Sequence, residues 1–289
     1  MQDPRLRIHS IEQIAEPSQE GNMLRNLVIG AEGFVGKPLC AYLESIGETV
    51  QRFDITRHKE KEDARIVSLD LEKIDRVYFL AWEVGGAKYL YRDDIQFVQL
   101  DWNLKLLLNV MPQLQGNRVP FLFVSSQLAE ETDTVYGVTK RLGEVWTRLL
   151  NQTRVRLWNV YGAYEQVSSR SHVVVDFVHQ AITQGEIKML TTGEERRQFI
   201  YIDDVCEGFH AAIDRHEKEL RDITSFEWVT VKRVAEIIGS IAGARVIPGT
   251  VKGSTPVTPI MGKLENWQPR VSLEEGLDRL VRKTREMLS

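Results

Sequence analysis

Short apolar runs alternate with helix-spaced apolar positions along the first half of the chain. Leu27–Ile29, Thr49–Phe53, Ile66–Leu69, Val77–Ala81, Pro120–Ser125 and Val155–Asn159 read as strands. Phe34–Leu43, Ile95–Leu114 and Thr134–Leu150 place their apolar residues as helices do. Strands alternating with helices at this spacing predict a parallel, doubly wound α/β sheet. After about residue 160 the pattern changes. Helical stretches at 171–183, 204–216, 230–242 and 273–287 surround short strands such as Glu186–Leu190 and Gln198–Ile202. This predicts a smaller, mixed α/β substrate-binding region over 161–289, interleaved with a nucleotide-binding domain over 23–160. Parts of 171–216 are expected to supply core elements to that domain. Residues 1–22 are polar, with a weak apolar face from Ile11, Ile14 and Ala15, and read as an N-terminal arm without a chemical role.

Composition narrows the classes. A chain of 289 residues with 43% hydrophobic content can bury a full core. A net charge of −4 gives no electrostatic reason to bind nucleic acid, and no basic patch with interleaved aromatics occurs. Cys40 and Cys206 have neither metal-ligand spacing nor a disulfide framework, so a reducing cytoplasm is the expected setting and no metal is expected. No apolar run approaches the ~18 residues of a membrane span. Arg5, Arg7, Glu12 and Glu16 interrupt the N-terminus where a secretory signal needs an apolar stretch.

Gly30-x-x-Gly33-x-x-Gly36 follows the first strand and opens the first helix. Glycines permit a tight turn there, and the N–H groups around Phe34 and Val35 can approach a pyrophosphate at the helix N-terminus. Asp54 ends the next strand, 24 residues after Gly30. A carboxylate there accepts from adenosine ribose hydroxyls and repels a 2′-phosphate, which favours NAD over NADP, although Arg52 and Arg57 flank it. Asp70, at the end of the expected third strand, is a candidate for the adenine edge. Leu80 and Ala81, ending the fourth, are further candidate cofactor contacts. The predicted fold is therefore Rossmann-type.

Ser126 ends the fifth strand, at the sheet edge where such folds place ligands. Tyr136 and Lys140 lie four apart in a helical segment, on one face one turn apart. A nearby lysine cation lowers a tyrosine pKa, and such a tyrosine can take a proton from an alcohol while a nicotinamide takes the hydride. Ser126, Tyr136 and Lys140 are the expected catalytic residues.

With this set in place, the chain from about Met23 onward resembles the extended short-chain dehydrogenase/reductase superfamily, in its nucleotide-sugar epimerase/dehydratase branch. Arg156-Leu157-Trp158-Asn159-Val160-Tyr161-Gly162, Arg197-Gln198-Phe199-Ile200-Tyr201-Ile202-Asp203-Asp204-Val205 and the closing Trp267-Gln268-Pro269 and Ser272-Leu273-Glu274-Glu275-Gly276-Leu277 segments are similar to that family's. The resemblance implies a nucleotide-sugar substrate, with Asn159 holding its diphosphate and Arg197 pairing with its phosphates. It also implies that Tyr136 acts at a sugar hydroxyl, typically O4, with Lys140 on the nicotinamide ribose.

Departures narrow the branch. Dehydratases of the family carry acidic residues after the catalytic Ser/Thr position. Gln127 and Leu128 stand here, so 4,6-dehydration is not expected. Val84-Gly85-Gly86 resembles the loop of GDP-fucose synthase and GDP-mannose 3,5-epimerase, whose glycines let it lie close to a sugar ring, with Lys88 just beyond it. Ser171-His172 resembles the Ser-His segment of GDP-fucose synthase, but the cysteine paired with that histidine is replaced by Leu128. Only ten positions separate Ser126 from Tyr136, and Gln99 stands where relatives have Asn. The expectation is a C4 dehydrogenase or C4 epimerase acting on a GDP-hexose or GDP-heptose. A keto-sugar reductase and a non-catalytic NAD-binding scaffold are the alternatives. The family's dimer interface would fall on Leu104, Leu107, Leu108, Met111, Val145, Leu149 and Leu150, so a homodimer is expected.

Overall fold

The computed structural model describes residues 23–289; the expected arm at 1–22 lies outside them. The chain runs β1 (Arg25–Ile29), α1 (Gly36–Ser45), β2 (Thr49–Phe53), α2 (Ile55–His58), β3 (Arg76–Phe79), α3 (Ala87–Leu90), α4 (Gln96–Asn117), β4 (Phe121–Ser126), α5 (Val135–Leu149) and β5 (Thr153–Leu157). It continues β6 (Asn159–Tyr161), α6 (Val173–Gln184), β7 (Glu186–Lys188), β8 (Arg196–Tyr201), α7 (Ile202–Asp214), β9 (Arg221–Ile223), β10 (Trp228–Thr230), α8 (Val231–Ala242), β11 (Arg245–Ile247) and α9 (Leu273–Leu288).

Six strands form a parallel sheet in the order β2-β1-β3-β4-β5-β9, as the strand–helix alternation predicts for a doubly wound Rossmann-type fold. Side chains alternate across it. Leu27, Ile29, Val77, Phe79, Phe121 and Phe123 pack on one face with Leu106, Leu107 and Val110 of α4. Val28, Tyr78, Leu122, Val124 and Val155 pack on the other, with α1 and with Phe209 of α7. Both faces are covered at the sheet centre, where β1, β3 and β4 carry continuous apolar runs at Leu27–Ile29, Val77–Phe79 and Phe121–Val124. The second region is built on a three-stranded sheet, β10-β8-β6, and a β11-β7 pair.

Two strand expectations are corrected. Ile66–Leu69 forms turns and loop, and its residues are absent from the sheet. Leu69 is nonetheless buried against the α4 side, which explains its apolar pattern without a ladder. Arg221–Ile223, from beyond the expected domain elements, pairs with β5 and forms the sheet's sixth strand. The run Val155–Asn159 is also divided. Trp158 leaves the ladder, its indole donating to Asp222 at 2.9 Å, and Asn159 starts β6 in the second sheet. One apolar run thus serves two sheets, and the division falls beside the cleft.

Helix α5 is held against β4 at Gly143, where a Cβ would stand 2.2 Å from the Phe123 ring. Gly143→Val should therefore lower the urea midpoint, since overpacking a filled core costs about 1–3 kcal/mol. An unchanged midpoint would show that α5 can lift from the sheet without cost.

Candidate active site

One cleft of about 1210 Å³ runs over the C-terminal ends of the parallel strands and down to the second region. Its first end is the glycine turn. Gly30 has φ +93° and lies against the Ala81 backbone, and a Cβ on Gly36 would meet the Gly30 carbonyl at 2.0 Å. The turn therefore closes only with glycine at these two positions. Phe34 and Val35 line the cleft at the start of α1, and among the described residues their N–H groups donate to no protein acceptor. Open donors at a helix N-terminus fit a dinucleotide pyrophosphate.

Asp54 holds this end together. Its carboxylate accepts from Glu32 N at 3.0 Å and caps α2 through Thr56 N at 2.9 Å. Arg52 pairs with Glu44 at 3.0 Å, and Arg57 lies 3.7 Å from Glu32 and 3.6 Å from Glu62. The two arginines that could have received a 2′-phosphate are thus engaged by carboxylates, and such a phosphate would also face Asp54 and Glu62. Asp70 is corrected: it is exposed, caps Glu72 N at 3.1 Å and lies outside the cleft. Without a third ladder strand, the wall there is Asp63, Ala64 and Arg65. Arg65 forks onto Asp63 at 2.7 and 2.8 Å and holds its carboxyl below the usual range.

Ser126, Tyr136 and Lys140 meet at the middle of the cleft. Tyr136 and Lys140 are 8% and 4% exposed on one face of α5, which starts at a Thr134 cap on Gly137 N. The expected effect of Lys140 on Tyr136 is corrected. Burial pushes the Tyr136 hydroxyl up to about 12, and only Ser126 pulls the other way. The Lys140 ammonium donates to the Val124 carbonyl at 2.7 Å and lies 4.1 Å from the centre of the Trp82 ring, so it is directed to strand and indole. Burial also pushes Lys140 down to about 7, opposed by Glu144.

Glu144, one turn beyond Lys140, organises the ground beneath. Arg156 is 0% exposed and forks onto Glu144 at 2.7 and 2.9 Å. Its remaining contact is Glu130 at 2.6 Å, while Ser125 donates to Glu144 at 2.7 Å. The sequence offered Arg156 only as the first letter of a motif; Glu144 carried no signal except its helical spacing from Tyr136 and Lys140.

The far end joins Val84-Gly85-Gly86 to the segment before α6. Gly86 N donates to the Arg170 carbonyl at 2.7 Å, and a Cβ there would meet the Ser171 carbonyl at 2.3 Å. Gly86 thus serves a backbone contact. Glu83 is buried, salt-bridged to Arg170 at 2.8 Å and hydrogen-bonded by Tyr89. Asn103, one turn after the buried Gln99, clasps the Glu83 backbone at 2.8 Å. Lys88 pairs with Asp176 at 2.7 Å. His172 stacks near Phe34 and its Nδ1 meets Glu165 at 2.6 Å. Asn159 donates to the Gln198 carbonyl at 3.1 Å, and Arg197 lines the cleft, its guanidinium donating to the Arg196 carbonyl and to no other acceptor among the described residues. Sequence reasoning missed Glu83, Glu165 and Glu131, all in this wall. The signal for Glu131 was an acidic pair inside the short Ser126–Tyr136 connection.

A glycine turn, an acidic strand end and a buried Ser-Tyr-Lys set share one cleft, an arrangement suited to dinucleotide-dependent oxidoreduction. The chain belongs to the NAD dependent epimerase/dehydratase family, whose model matches residues 26–223, and is an NAD-dependent enzyme of that family. It is 23% identical to UDP-glucuronic acid decarboxylase 1 of Arabidopsis thaliana over 89% of this chain and 69% of that one. It is 24% identical to GDP-mannose 3,5-epimerase 1 of Oryza sativa over 88% of this chain and 80% of that one. Among solved structures, a UDP-glucose 4-epimerase of Thermotoga maritima with UDP-glucose is similar in fold (TM-score 0.73, 22% identity), over 92% of this chain and 100% of that one.

The Lys140 environment has a measurable consequence. The folded protein binds fewer protons than the unfolded chain between about pH 7 and the ordinary lysine value of 10.5. Stability then rises with pH through that window and is lost as pH falls through 7. The melting temperature of the native protein minus that of Lys140→Met should increase from pH 7 to pH 10. Parallel curves would place the Lys140 ammonium in contact with water.

Proposed function

We propose that this enzyme oxidises a nucleotide-sugar at C4, as a C4 dehydrogenase or a C4 epimerase. The observation that carries this reading is the convergence of Ser126, Tyr136 and Lys140 on the cleft whose one end is the glycine turn and whose other end holds Arg197 and Asn159. Bound NAD supplies a hydride acceptor. Ser126 orients the sugar hydroxyl and Tyr136 exchanges its proton. Lys140, next along the same face of α5, holds the nicotinamide ribose. Arg197 and Asn159 provide the donors for a diphosphate. The Val84-Gly85-Gly86 loop and the GDP-mannose 3,5-epimerase relative support a GDP-hexose or GDP-heptose. The Arabidopsis and Thermotoga proteins make UDP-sugars the competing class.

A keto-sugar reductase is the second reading, carried by the Ser126 and Tyr136 hydroxyls that face one another in the cleft. A protonated Tyr136 hydroxyl can donate to a keto oxygen as the hydride reaches the carbon. Incubation with NAD and GDP-, UDP- and dTDP-sugars separates the readings. NADH with a keto-sugar means a dehydrogenase, and an inverted sugar without net NADH means an epimerase. Oxidation of NADH by 4-keto-sugars alone means a reductase. Tyr136→Phe should lower the turnover rate by about 10²–10⁴. A variant as active as the native protein would remove Tyr136 from the chemistry.

We also infer a homodimer. Leu107 and Met111 face the core, whereas Leu104, Leu108, Leu142, Val145, Trp146 and Leu149 form an apolar hollow on α4 and α5. Leu108 and Leu149 are 64% and 70% exposed, a patch that a second copy of the same face would cover. Light scattering should give a dimer, and Leu108→Glu with Leu149→Glu a monomer. A native monomer at micromolar concentration would refute this.

A further inference from the structure

Lys140 is a buried cation without a carboxylate of its own. The ammonium's one hydrogen bond among the described residues is to the Val124 carbonyl at 2.7 Å. Glu144, the carboxylate that acts on it from a distance, is committed to Arg156, Arg141 and Ser125. What faces the ammonium instead is aromatic. Its Nζ lies 4.1 Å from the centre of the Trp82 ring, 5.3 Å from that of Phe123 and 5.8 Å from that of Tyr136.

Trp82 follows β3 and lines the cleft. Its ring meets Phe79 edge-on at 6.2 Å and Phe123 at 5.6 Å, and those two meet each other at 5.7 Å. The three rings therefore fix one another. The indole N–H is buried without an acceptor among the described residues. An unpaired donor is costly to bury, and a phenylalanine would fill much of the same space without one. What an indole adds is the most negative ring face of any side chain, and that face is turned to Lys140.

We propose that Trp82 is a positioning residue for the oxidoreduction: its ring face holds the Lys140 side chain, as an ammonium, beside Ser126 and Tyr136. This rests on the assignment of Lys140 to the nicotinamide ribose above. Burial acts in the opposite sense and pushes Lys140 down to about 7. Near that value one contact decides whether the side chain is an ammonium or an amine at neutral pH. The groups facing it are few. Helix α5 presents Tyr136 and Glu144, β4 presents the Val124 carbonyl and the Phe123 ring, and the segment after β3 presents Trp82. Arg156 of β5 is matched by Glu144 and Glu130. Loss of the indole would leave the ammonium with one carbonyl and a weaker ring.

The test follows Lys140 directly, by NMR of protein carrying 13C at the lysine Cε. Its resonance is the one missing from Lys140→Met. In Trp82→Leu its titration midpoint should fall by about one pH unit, the size of a cation–π contact in a dry site. Trp82→Phe keeps the packing and a weaker ring, and should show a smaller fall. Turnover with NAD and the same sugar panel should fall about tenfold in Trp82→Leu at pH 8 and little at pH 6, because the ammonium form is lost only at the higher pH. NAD affinity, read by calorimetry, should weaken in the same pH-dependent way. A merely structural role would lower both equally at the two pH values. Midpoints unchanged in Trp82→Leu and Trp82→Phe would overturn the proposal and leave the C4 reading standing. So would a midpoint that moves while turnover and NAD affinity keep their native pH dependence. A native enzyme without turnover on any sugar would end the C4 reading, and the midpoints and NAD affinities would still decide the role of Trp82.

Discussion

The buried fork between Arg156 and Glu144 is the constraint on which the site is assembled. Arg156 is on β5 and Glu144 on α5, and neither has appreciable access to water. Charges in that position are tolerated because each is matched. Arg156 meets two carboxylates, and Glu144 meets Arg156, Ser125 and Arg141. Breaking such a pair by deleting one partner costs about 3–5 kcal/mol, because the other charge is left in a dry place. The partners belong to β4, β5, α5 and the turn after Ser126. A displacement of any one of them breaks hydrogen bonds to the others. The relative position of Ser126 and Tyr136, which sit on different elements, is set by this fork.

The same helix face is graded in polarity. Tyr136, Lys140 and Glu144 follow at helical spacing, and all three are buried. Glu144 is fully partnered and keeps its charge. Lys140 is half provided for, by one carbonyl and by the Trp82 face, and its charge is disfavoured by burial. Tyr136 has only Ser126 to stabilise its anion. Structural charge at the base of the helix thus gives way to adjustable charge at the cleft, where an ionisation state that is easily changed is useful.

Much of this was legible in the sequence because it repeats at short range. The strand–helix alternation, the glycine turn, Asp54 and the Tyr-x-x-x-Lys spacing each depend on residues a few turns apart, and Ser126, Tyr136 and Lys140 do share the cleft. What failed depends on partners distant in the chain. Ile66–Leu69 is as apolar as a strand, but Leu69 is buried by α4 and its N–H is taken by the Gln113 side chain at 2.7 Å instead of a ladder. Asp70 was misplaced along with that strand. Arg221–Ile223 is too short and polar to announce itself, and becomes a sheet strand only because β5 leaves an edge open. Spacing tells that Tyr136 and Lys140 are neighbours, whereas burial, which raises Tyr136, and the direction taken by the Lys140 ammonium depend on packing that spacing does not show.

Sheet and loops also differ in what they can determine. The cofactor end and the Ser-Tyr-Lys set stand on β1, β3, β4 and α5, where packing on both sides leaves little freedom. The opposite wall is assembled from separate segments: Val84–Gly86 after β3, Glu131 before α5, His172 before α6 and Arg197 at the start of β8. These loops meet through backbone contacts and ion pairs, such as Gly86 with Arg170 and Lys88 with Asp176, which can be exchanged without disturbing the sheet. Relatives at 22–24% identity can therefore keep the fold while bearing names as different as decarboxylase, 3,5-epimerase and 4-epimerase. In this chain the loop between Ser126 and Tyr136 is short enough to be seated on Gly137. Its acidic residue Glu131 is consequently held by the same helix that carries Tyr136, which couples the loop wall to the sheet edge.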